Sequence, residues 1–511
     1  MKSIKILLLF FLGALFSSFS EQSLPGIIKT ENGKVEGTVE NGIRSFKGIP
    51  FATPPVGNLR WKAPQPVKPW DGVLKADKFA PGSIQNQKLE QSEDCLYLNI
   101  WTTANSDKER LPVMVWIHGG GFSAGAPSEG TYLGQELTRK GVIFVSITYR
   151  LGTLGFFAHP DLSAESPNKV SGNYGLLDMI ESLKWIRKNI SAFGGDPDKV
   201  TIFGESAGAI AISMLCASPL AKGLFWGAIS ESGGSFGPVG ESRQDGIISL
   251  KGAENSGVEF MKQTGAKSID ELRKMDPQEW FKGSMARFSF WPNADGYIIP
   301  DDQYKLYQAG KFNDVNVIVG TNSDEGAMFA RPSEPDVYKK GIEQRFGDFA
   351  GKILAAFPGD TKEQTATSSA DIFTATAFAW PSWTWARLQS RTGKSKVFMY
   401  YFSQQQPKLP FMSMAPRGAQ HSAEIKYVLK TIDPKTGSEE DLKLSELMAT
   451  YWTNFAKYGD PNGKNLPVWP AFSEKNSSVM YLNNTPKQGP VPAIDKLELM
   501  DQYFKYRRES K

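Results

Sequence analysis

The 511-residue chain is poor in histidine and cysteine, with three of the first and two of the second. Two cysteines are too few for the disulfide framework of a small secreted scaffold. No H-E-x-x-H motif is present, and so few sulfur and imidazole ligands do not suit a dedicated metal site. The sequence therefore predicts neither a metal nor a cofactor.

The chain also lacks a strong charge of one sign and has no basic run. Its formal net charge is +4, from 58 Lys and Arg against 54 Asp and Glu. Nucleic acids and acidic membranes are bound by clustered basic side chains. We therefore expect a small-molecule substrate and no nucleic-acid partner.

Long apolar runs are missing except at the N-terminus. Lys2 and Lys5 precede an apolar run at residues 6–16, and small residues follow at 17–20. This order predicts a cleaved secretory signal peptide over residues 1–20, because the run is short for a bilayer span. We expect a secreted or periplasmic protein without a stable membrane anchor; an uncleaved anchor is the alternative.

Strand and helix patterns interleave through residues 21–511, which predicts one large doubly wound α/β domain. The expected central strands are Val113–His118, Val142–Tyr149, Lys199–Gly204, Val315–Gly320 and Lys396–Phe402. The expected helices include Gly175–Asn189 and Ser206–Cys216.

Two insertions, residues 235–300 and 330–390, are rich in aromatic side chains. We expect both to cover the active site and to form an apolar gorge. The aromatic residues in question are Phe236, Trp280, Phe288, Phe290, Trp291, Phe378, Trp380, Trp383 and Trp385.

A G-x-S-x-G motif follows one predicted strand directly. It reads Gly204-Glu205-Ser206-Ala207-Gly208, and an Ala-rich helical segment continues from it. A strand-to-helix elbow of this kind exposes a nucleophilic serine at a helix N-terminus. Ser206 is therefore the candidate nucleophile, although the five letters alone also fit a tight glycine turn.

A second motif, His118-Gly119-Gly120-Gly121, follows another predicted strand about 85 residues before the serine. Backbone N–H groups aimed at one point stabilise the oxyanion of acyl transfer. The candidate donors are Gly120, Gly121 and Ala207. A flexible hairpin turn is the alternative interpretation of the glycine run alone.

The base and the acid follow from chain order. In this fold the order is serine, acid, histidine, and His421 is the only histidine after Ser206. The acid should follow the strand at residues 314–320, where Asp324 and Glu325 are neighbours. Physical reasoning does not choose between these two carboxylates.

The chain resembles the type-B carboxylesterases, of the cholinesterase and para-nitrobenzyl-esterase kind, from about residue 27 to 475. The segments that carry the resemblance include Phe46-Lys47-Gly48-Ile49-Pro50-Phe51-Ala52, Ser92-Glu93-Asp94-Cys95-Leu96, Asn173-Tyr174-Gly175-Leu176-Leu177-Asp178 and Trp452-Thr453-Asn454-Phe455-Ala456. The resemblance implies an α/β-hydrolase fold, with a central, mostly parallel twisted sheet, helices on both faces and helical insertions over the site.

The resemblance also assigns roles to particular residues. It makes Glu325 the acid and His421 the base, and it places Glu205 as an acidic group that modulates the charge around the histidine. It further implies two structural ion pairs, Arg60 with Glu93 and Arg150 with Asp178.

Two departures from the family pattern are informative. Cys95 stands where the family closes a disulfide, but residues 79–85 contain no cysteine, so Cys95 and Cys216 are expected to be free thiols. The loop at residues 83–94 has no tryptophan to hold a quaternary ammonium by cation–π attraction, which argues against choline esters.

These features together predict a serine carboxylic-ester hydrolase that forms an acyl-enzyme on small to medium apolar esters. Its activity should rise as His421 loses its proton near neutral pH. The alternatives are a non-catalytic binding or adhesion module on the same scaffold and a hydrolase of amides or carbamates.

Overall fold

The computed structural model describes residues 26–243, 246–413 and 415–510, so the predicted signal peptide lies outside the described residues. The strands are, in chain order, β1 (Ile27–Lys29), β2 (Lys34–Glu36), β3 (Thr38–Glu40), β4 (Ile43–Pro50), β5 (Val73–Lys75), β6 (Tyr97–Thr102), β7 (Leu111–Ile117), β8 (Ile143–Ile147), β9 (Gly195–Glu205), β10 (Gly227–Glu231), β11 (Val239–Gly240), β12 (Ile247–Ser249), β13 (Asn293–Ala294), β14 (Asn316–Asn322), β15 (Val397–Phe402), β16 (Ser478–Leu482) and β17 (Lys487–Pro490).

Helices connect most of these strands. They are α1 (Gln135–Thr138), α2 (Gly152–Phe156), α3 (Pro160–Glu165), α4 (Tyr174–Asn189), α5 (Ala207–Ala217), α6 (Leu250–Thr264), α7 (Ile269–Arg273), α8 (Gln303–Gln308), α9 (Pro335–Phe346), α10 (Ala350–Ala356), α11 (Lys362–Thr374), α12 (Trp380–Thr392), α13 (Ile425–Val428), α14 (Glu439–Tyr458) and α15 (Ile494–Glu509). A π-helical turn at Ala375–Ala379 joins α11 to α12. Short 3₁₀ turns include Gly57–Leu59, Gly130–Tyr132, Ile190–Phe193, Pro219–Ala221, Pro277–Phe281, Gly283–Arg287, Glu325–Met328 and Gly347–Phe349.

One large sheet organises the described residues. Its eleven strands run in the order β17-β16-β15-β14-β10-β9-β7-β8-β6-β4-β3. The strands from β16 to β8 are all parallel to one another, and the flanking pairs are antiparallel. This arrangement confirms the predicted mostly parallel sheet, and all five predicted strands are parallel members of it.

Both faces of the central strands are buried, which explains their nearly continuous apolar sequences. Along β7, Val113, Val115 and Ile117 pack into one core cluster. Met114 and Trp116 alternate with them and pack into a second cluster on the opposite face, where they join residues of α14. The alternation has the period of two that a strand requires.

Two buried ion pairs hold loops against this core, as the family resemblance implied. Arg150 donates to Asp178 through Nε at 2.8 Å and Nη2 at 2.7 Å, and both side chains are almost fully buried. Arg60 donates to Glu93 through Nε at 2.7 Å. These observations confirm both predicted pairs.

The two cysteines confirm a further expectation, because Cys95 and Cys216 are buried and free. None of the helices in the described part of the chain is long and apolar enough to cross a membrane.

The Arg150–Asp178 pair yields a stability prediction. Asp178→Ala removes the partner of a buried guanidinium, and leaving such a charge uncompensated costs about 3–5 kcal/mol of the free energy of unfolding. Urea titration followed by tryptophan fluorescence measures the loss. Glu474→Ala is the matched control, because it breaks the exposed pair with Arg391 and should cost less than about 1 kcal/mol. Equal losses in the two variants would contradict the assignment of a structural role to the buried pair.

Candidate active site

The predicted site residues converge at the carboxyl edge of the parallel sheet. β7 runs into the glycine loop at residues 118–121, β9 ends directly before Ser206, and β14 ends three residues before Glu325. Parallel strands present their carboxyl ends at one edge, where open α/β sheets bind their ligands. His421 reaches the same edge from the long connection between β15 and α13.

Ser206 occupies a strained turn between β9 and α5. Its φ of 54° and ψ of −120° lie outside the regions that a serine ordinarily adopts. The flanking glycines are required because a Cβ at Gly204 or Gly208 would lie 2.2 Å or 2.0 Å from the carbonyl oxygen of Ile117. The motif therefore forms the predicted elbow, which holds the hydroxyl at the start of α5.

Three side chains form a continuous hydrogen-bonded chain across the edge. His421 Nε2 lies 2.9 Å from Ser206 Oγ, and His421 Nδ1 lies 2.7 Å from Glu325 Oε2. Glu325 is fully buried and His421 is 8 % exposed. This arrangement brings together a hydroxyl, an imidazole and a carboxylate in the order that nucleophilic acyl transfer requires.

The structure distinguishes the two neighbouring acids. The carboxylate of Asp324 turns away from the imidazole and accepts a hydrogen bond from the backbone N–H of Arg417 at 2.6 Å and from its Nη2 at 3.0 Å. Asp324 thus anchors the segment that leads to His421. Of the two acids, only Glu325 lies beside the imidazole, as the resemblance implied.

The triple-glycine loop passes directly over the nucleophile. A Cβ at Gly119 would lie 3.1 Å from Ser206 Cβ, and Gly120 and Gly121 have φ values of 100° and 63°. Among the described residues, the N–H groups of Gly120, Gly121 and Ala207 donate to no protein acceptor. Three free donors at one site suit a developing oxyanion.

The other two histidines have structural positions. His118 is buried, its Nδ1 lies 2.9 Å from the carbonyl oxygen of Gly119, and its ring stacks on Tyr149 at 4.6 Å. Burial lowers its pKa to about 4. His159 Nδ1 accepts a hydrogen bond from the backbone N–H of Asp161 and caps α3. His118 therefore shapes the glycine loop.

A layer of polar residues behind the triad was missed by the sequence interpretation. Ser232 Oγ and the backbone N–H of Asn322 donate to Glu325 Oε1 at 2.5 Å and 2.7 Å. The amide of Asn322 also donates to Glu424. One available signal was Glu231-Ser232 at the end of buried β10, because polar residues at that edge face the site.

The electrostatics of the site are dominated by buried carboxylates. Burial raises the pKa of Glu205 to about 8 and that of Glu424 to about 7. Burial and then Glu424 raise the pKa of Glu231 well above its usual range. Burial favours the neutral form of these groups, because the charged form is poorly solvated. The neighbouring imidazolium of His421 opposes this effect and lowers the pKa of Glu205 and of Glu424.

The same carboxylates act on the imidazole. Burial lowers the pKa of His421, but Glu205, with Oε1 3.2 Å from Nε2, raises it, and Glu325 raises it further. The resulting pKa is about 9. The sequence interpretation took no account of these neighbours, which favour a transition above neutral pH, and the pH dependence of activity stays a prediction.

Above the triad lies a cavity of about 780 Å³. Residues from both predicted insertions line it, which confirms that these segments cover the site. Trp291, Phe378 and Trp380 are among the lining residues, and Phe378 stacks on the ring of His421 at 4.6 Å. The other predicted aromatic residues pack in or against the core instead: Phe236, Trp280, Phe288, Phe290, Trp383 and Trp385.

The described residues contain no group of three or more His, Cys, Asp or Glu side chains arranged to hold a metal ion.

Comparisons with known proteins agree with one another over most of the chain. The sequence profile of the Carboxylesterase family matches residues 25–502. Fumonisin B1 esterase of Sphingopyxis macrogoltabida is 36% identical over 491 residues, which cover 88% of this chain and 85% of that protein. Para-nitrobenzyl esterase of Bacillus subtilis (strain 168) is 36% identical over 484 residues, covering 90% and 95%.

Solved structures give the same result. The structure of a PNB esterase, 34% identical, matches with a TM-score of 0.80 and covers 93% of this chain and 99% of its own. At this identity and coverage the similarity extends to the whole described fold.

The charge around His421 leads to a pH prediction. A histidine base must be neutral, so kcat/KM should rise with pH through the pKa of His421 in the free enzyme. Glu205→Gln removes the group that raises this pKa most, and the rising limb should move to lower pH by about one pH unit. Steady-state ester hydrolysis from pH 5 to 10 measures the profile.

The matched control is Glu129→Gln, whose carboxylate lines a separate cavity together with Gly120. This control should leave the rising limb in place. An unchanged profile in Glu205→Gln, or a movement to higher pH, would contradict the assigned effect of Glu205.

Proposed function

The chain belongs to the carboxylesterase family, and on that premise we propose that it hydrolyses small to medium apolar carboxylic esters through Ser206, His421 and Glu325. Family membership makes it a carboxylic ester hydrolase with the α/β-hydrolase fold. The observation that supports the residue assignment is the unbroken hydrogen-bonded chain from Ser206 Oγ through the imidazole to Glu325.

In the first step Ser206 Oγ attacks the carbonyl carbon of the ester. Its proton passes to His421 Nε2, which lies 2.9 Å away. The carbonyl oxygen becomes an oxyanion and accepts hydrogen bonds from the N–H groups of Gly120, Gly121 and Ala207. Each such donor lowers the barrier by about 3 kcal/mol.

The tetrahedral intermediate then collapses. The bond from carbon to the alcohol oxygen breaks, and His421 gives its proton to that oxygen, so a neutral alcohol leaves. Water next attacks the acyl-enzyme while His421 takes one of its protons, and the second collapse releases the carboxylic acid and restores Ser206.

Two carboxylates contact the imidazole with different roles. Glu325 binds Nδ1, which fixes the tautomer that leaves Nε2 free to accept the serine proton. Glu205 lies beside Nε2 and favours the imidazolium that forms during each step. Both contacts stabilise the imidazolium of the transition state more than the neutral imidazole of the ground state.

Two alternatives to this function differ in what the site supports. A binding or adhesion module has no need of a triad in hydrogen-bond contact under a loop of free N–H donors, so the geometry favours catalysis. Amides and carbamates react through the same acyl chemistry, and a substrate panel that varies the leaving group separates them from esters.

We further propose that the protein is exported to the periplasm or the medium. The support is the order of charged, apolar and small residues at positions 1–20, which is typical of a cleaved signal peptide. Determining the N-terminal sequence of the exported protein tests this proposal directly.

The nucleophile yields a prediction for ester turnover. Ser206→Ala should lower kcat on a chromogenic short-chain ester by at least about 10⁴-fold, because no other group can form the acyl-enzyme. Ser235→Ala, which changes another serine that lines the same cavity, should retain nearly full activity. Retained turnover in a folded Ser206→Ala protein, judged by its circular dichroism, would end the nucleophile assignment.

The two neighbouring acids yield a separate prediction. Glu325→Gln keeps the shape of the side chain but removes the charge that orients and stabilises the imidazole, so kcat should fall by about 10⁴-fold. Asp324→Asn weakens the contact with Arg417 and should reduce thermal stability with a much smaller effect on kcat. The reverse pattern, in which Asp324→Asn loses activity and Glu325→Gln keeps it, would show that the acid has been assigned to the wrong residue.

A further inference from the structure

Two arginines line the active-site cavity, Arg243 and Arg345. Among the described residues that line it, the only carboxylate is Glu205, which contacts His421 at the base. The described residues that line the walls above the triad therefore carry two positive charges and no negative one. An apolar gorge for neutral esters has no need of such an excess.

Arg243 is held close to the glycine loop by an aromatic ring. Its guanidinium carbon lies 3.7 Å from the centroid of the Trp291 ring. Trp291 in turn lies against the loop, because a Cβ at Gly121 would be 3.9 Å from its Cζ2 and its ring is 5.0 Å from that of Phe122. The indole of Trp291 thus contacts both the Arg243 guanidinium and the glycine loop that carries proposed oxyanion donors.

Arg345, near the end of α9, lies on the imidazole side of the cavity. Its Nη2 donates to Thr376 Oγ1 at 3.2 Å. Thr376 belongs to the π-helical turn that also carries Phe378, and Phe378 stacks on His421. Turns of this type are frequent at functional sites. Arg345 therefore lies one residue away from the ring that covers the imidazole.

Neither arginine has a carboxylate partner within the described residues, although both have contacts that fix their position. Ten other arginines do pair with a carboxylate: Arg60, Arg110, Arg139, Arg150, Arg187, Arg273, Arg387, Arg391, Arg417 and Arg508. Most arginines of the described residues are thus paired with a carboxylate, whereas Arg243 and Arg345 are not.

Both arginines line the cavity and are exposed to solvent. Partial burial lowers the pKa of Arg243 and of Arg345, and no carboxylate of the described residues raises it again. Tyr503 raises the pKa of Arg345 in part. Because a guanidinium stays charged throughout the physiological range, both groups are cations for which the described residues supply no carboxylate counter-charge.

We propose that Arg243 and Arg345 bind a carboxylate carried by the substrate, so that the preferred esters are anionic. This inference rests on the proposed ester hydrolysis and changes the preferred substrate class, from wholly apolar esters to esters that also carry a carboxylate. A guanidinium presents a planar fork of donors that matches a carboxylate, and its stacking on Trp291 fixes that fork before the substrate binds. An incoming carboxylate supplies a counter-charge that the described residues of the cavity wall do not.

Matched substrate pairs test the inference. Charge on the alcohol is varied with 4-carboxyphenyl butanoate against 4-carbamoylphenyl butanoate, and charge on the acyl group with the monomethyl ester of adipic acid against methyl adipamate. The members of each pair are nearly equal in size. The wild-type enzyme should favour the carboxylate in at least one pair, by a kcat/KM ratio of about fivefold.

The variants Arg243→Gln and Arg345→Gln remove one charge each and keep much of the stem. At least one of them should reduce that ratio by about fivefold, with kcat/KM on the neutral amide partner unchanged within about twofold. The control is Arg287→Gln, which removes the same charge from an exposed arginine that lies over Phe288 outside the cavity. The control should keep the wild-type ratio.

Salt gives an independent readout. In about 1 M NaCl the wild-type ratio should fall towards that of the variant whose substitution reduces it, because screening weakens the charge contact. A wild-type preference for the amide in both pairs, or a ratio that neither variant changes, would overturn the inference. If the wild type hydrolyses none of the four esters, it is the proposed function that fails, since the two neutral amide-bearing esters test that function alone.

Discussion

The arrangement of the candidate active site depends on one interaction, the pair of hydrogen bonds that joins the His421 imidazole to Ser206 on one side and to Glu325 on the other. The three residues come from different connections of the sheet, and each is placed by the end of a parallel strand or by a loop anchored to one. The elbow at Ser206, the turn after β14 and the anchoring of the His421 segment by Asp324 all serve to keep these atoms within hydrogen-bond distance.

A second constraint is the accumulation of buried carboxylates around a single imidazole. Glu205, Glu325 and Glu424 all favour the protonated histidine. In the proposed mechanism, the field that stabilises the imidazolium in the transition state also favours the protonated form of His421 in the free enzyme.

The sequence predicted the sheet, the elbow and the glycine loop, because each is a local pattern whose backbone geometry is fixed by neighbouring residues. Physical reasoning left the choice between Asp324 and Glu325 open, and only the family resemblance assigned Glu325, since the direction of adjacent side chains depends on tertiary contacts such as that of Arg417. It missed Ser232 for the same reason. The positive charge of Arg345 in the cavity wall could not be predicted from the sequence, because its position depends on how an insertion folds back over the sheet.

The most direct test is a crystal structure of the enzyme after reaction with a small organophosphonate. The account predicts a covalent bond from phosphorus to Ser206 Oγ, with the phosphoryl oxygen about 2.7–3.1 Å from the backbone nitrogens of Gly120, Gly121 and Ala207. Modification of a different residue, or a phosphoryl oxygen that points away from the glycine loop, would contradict it.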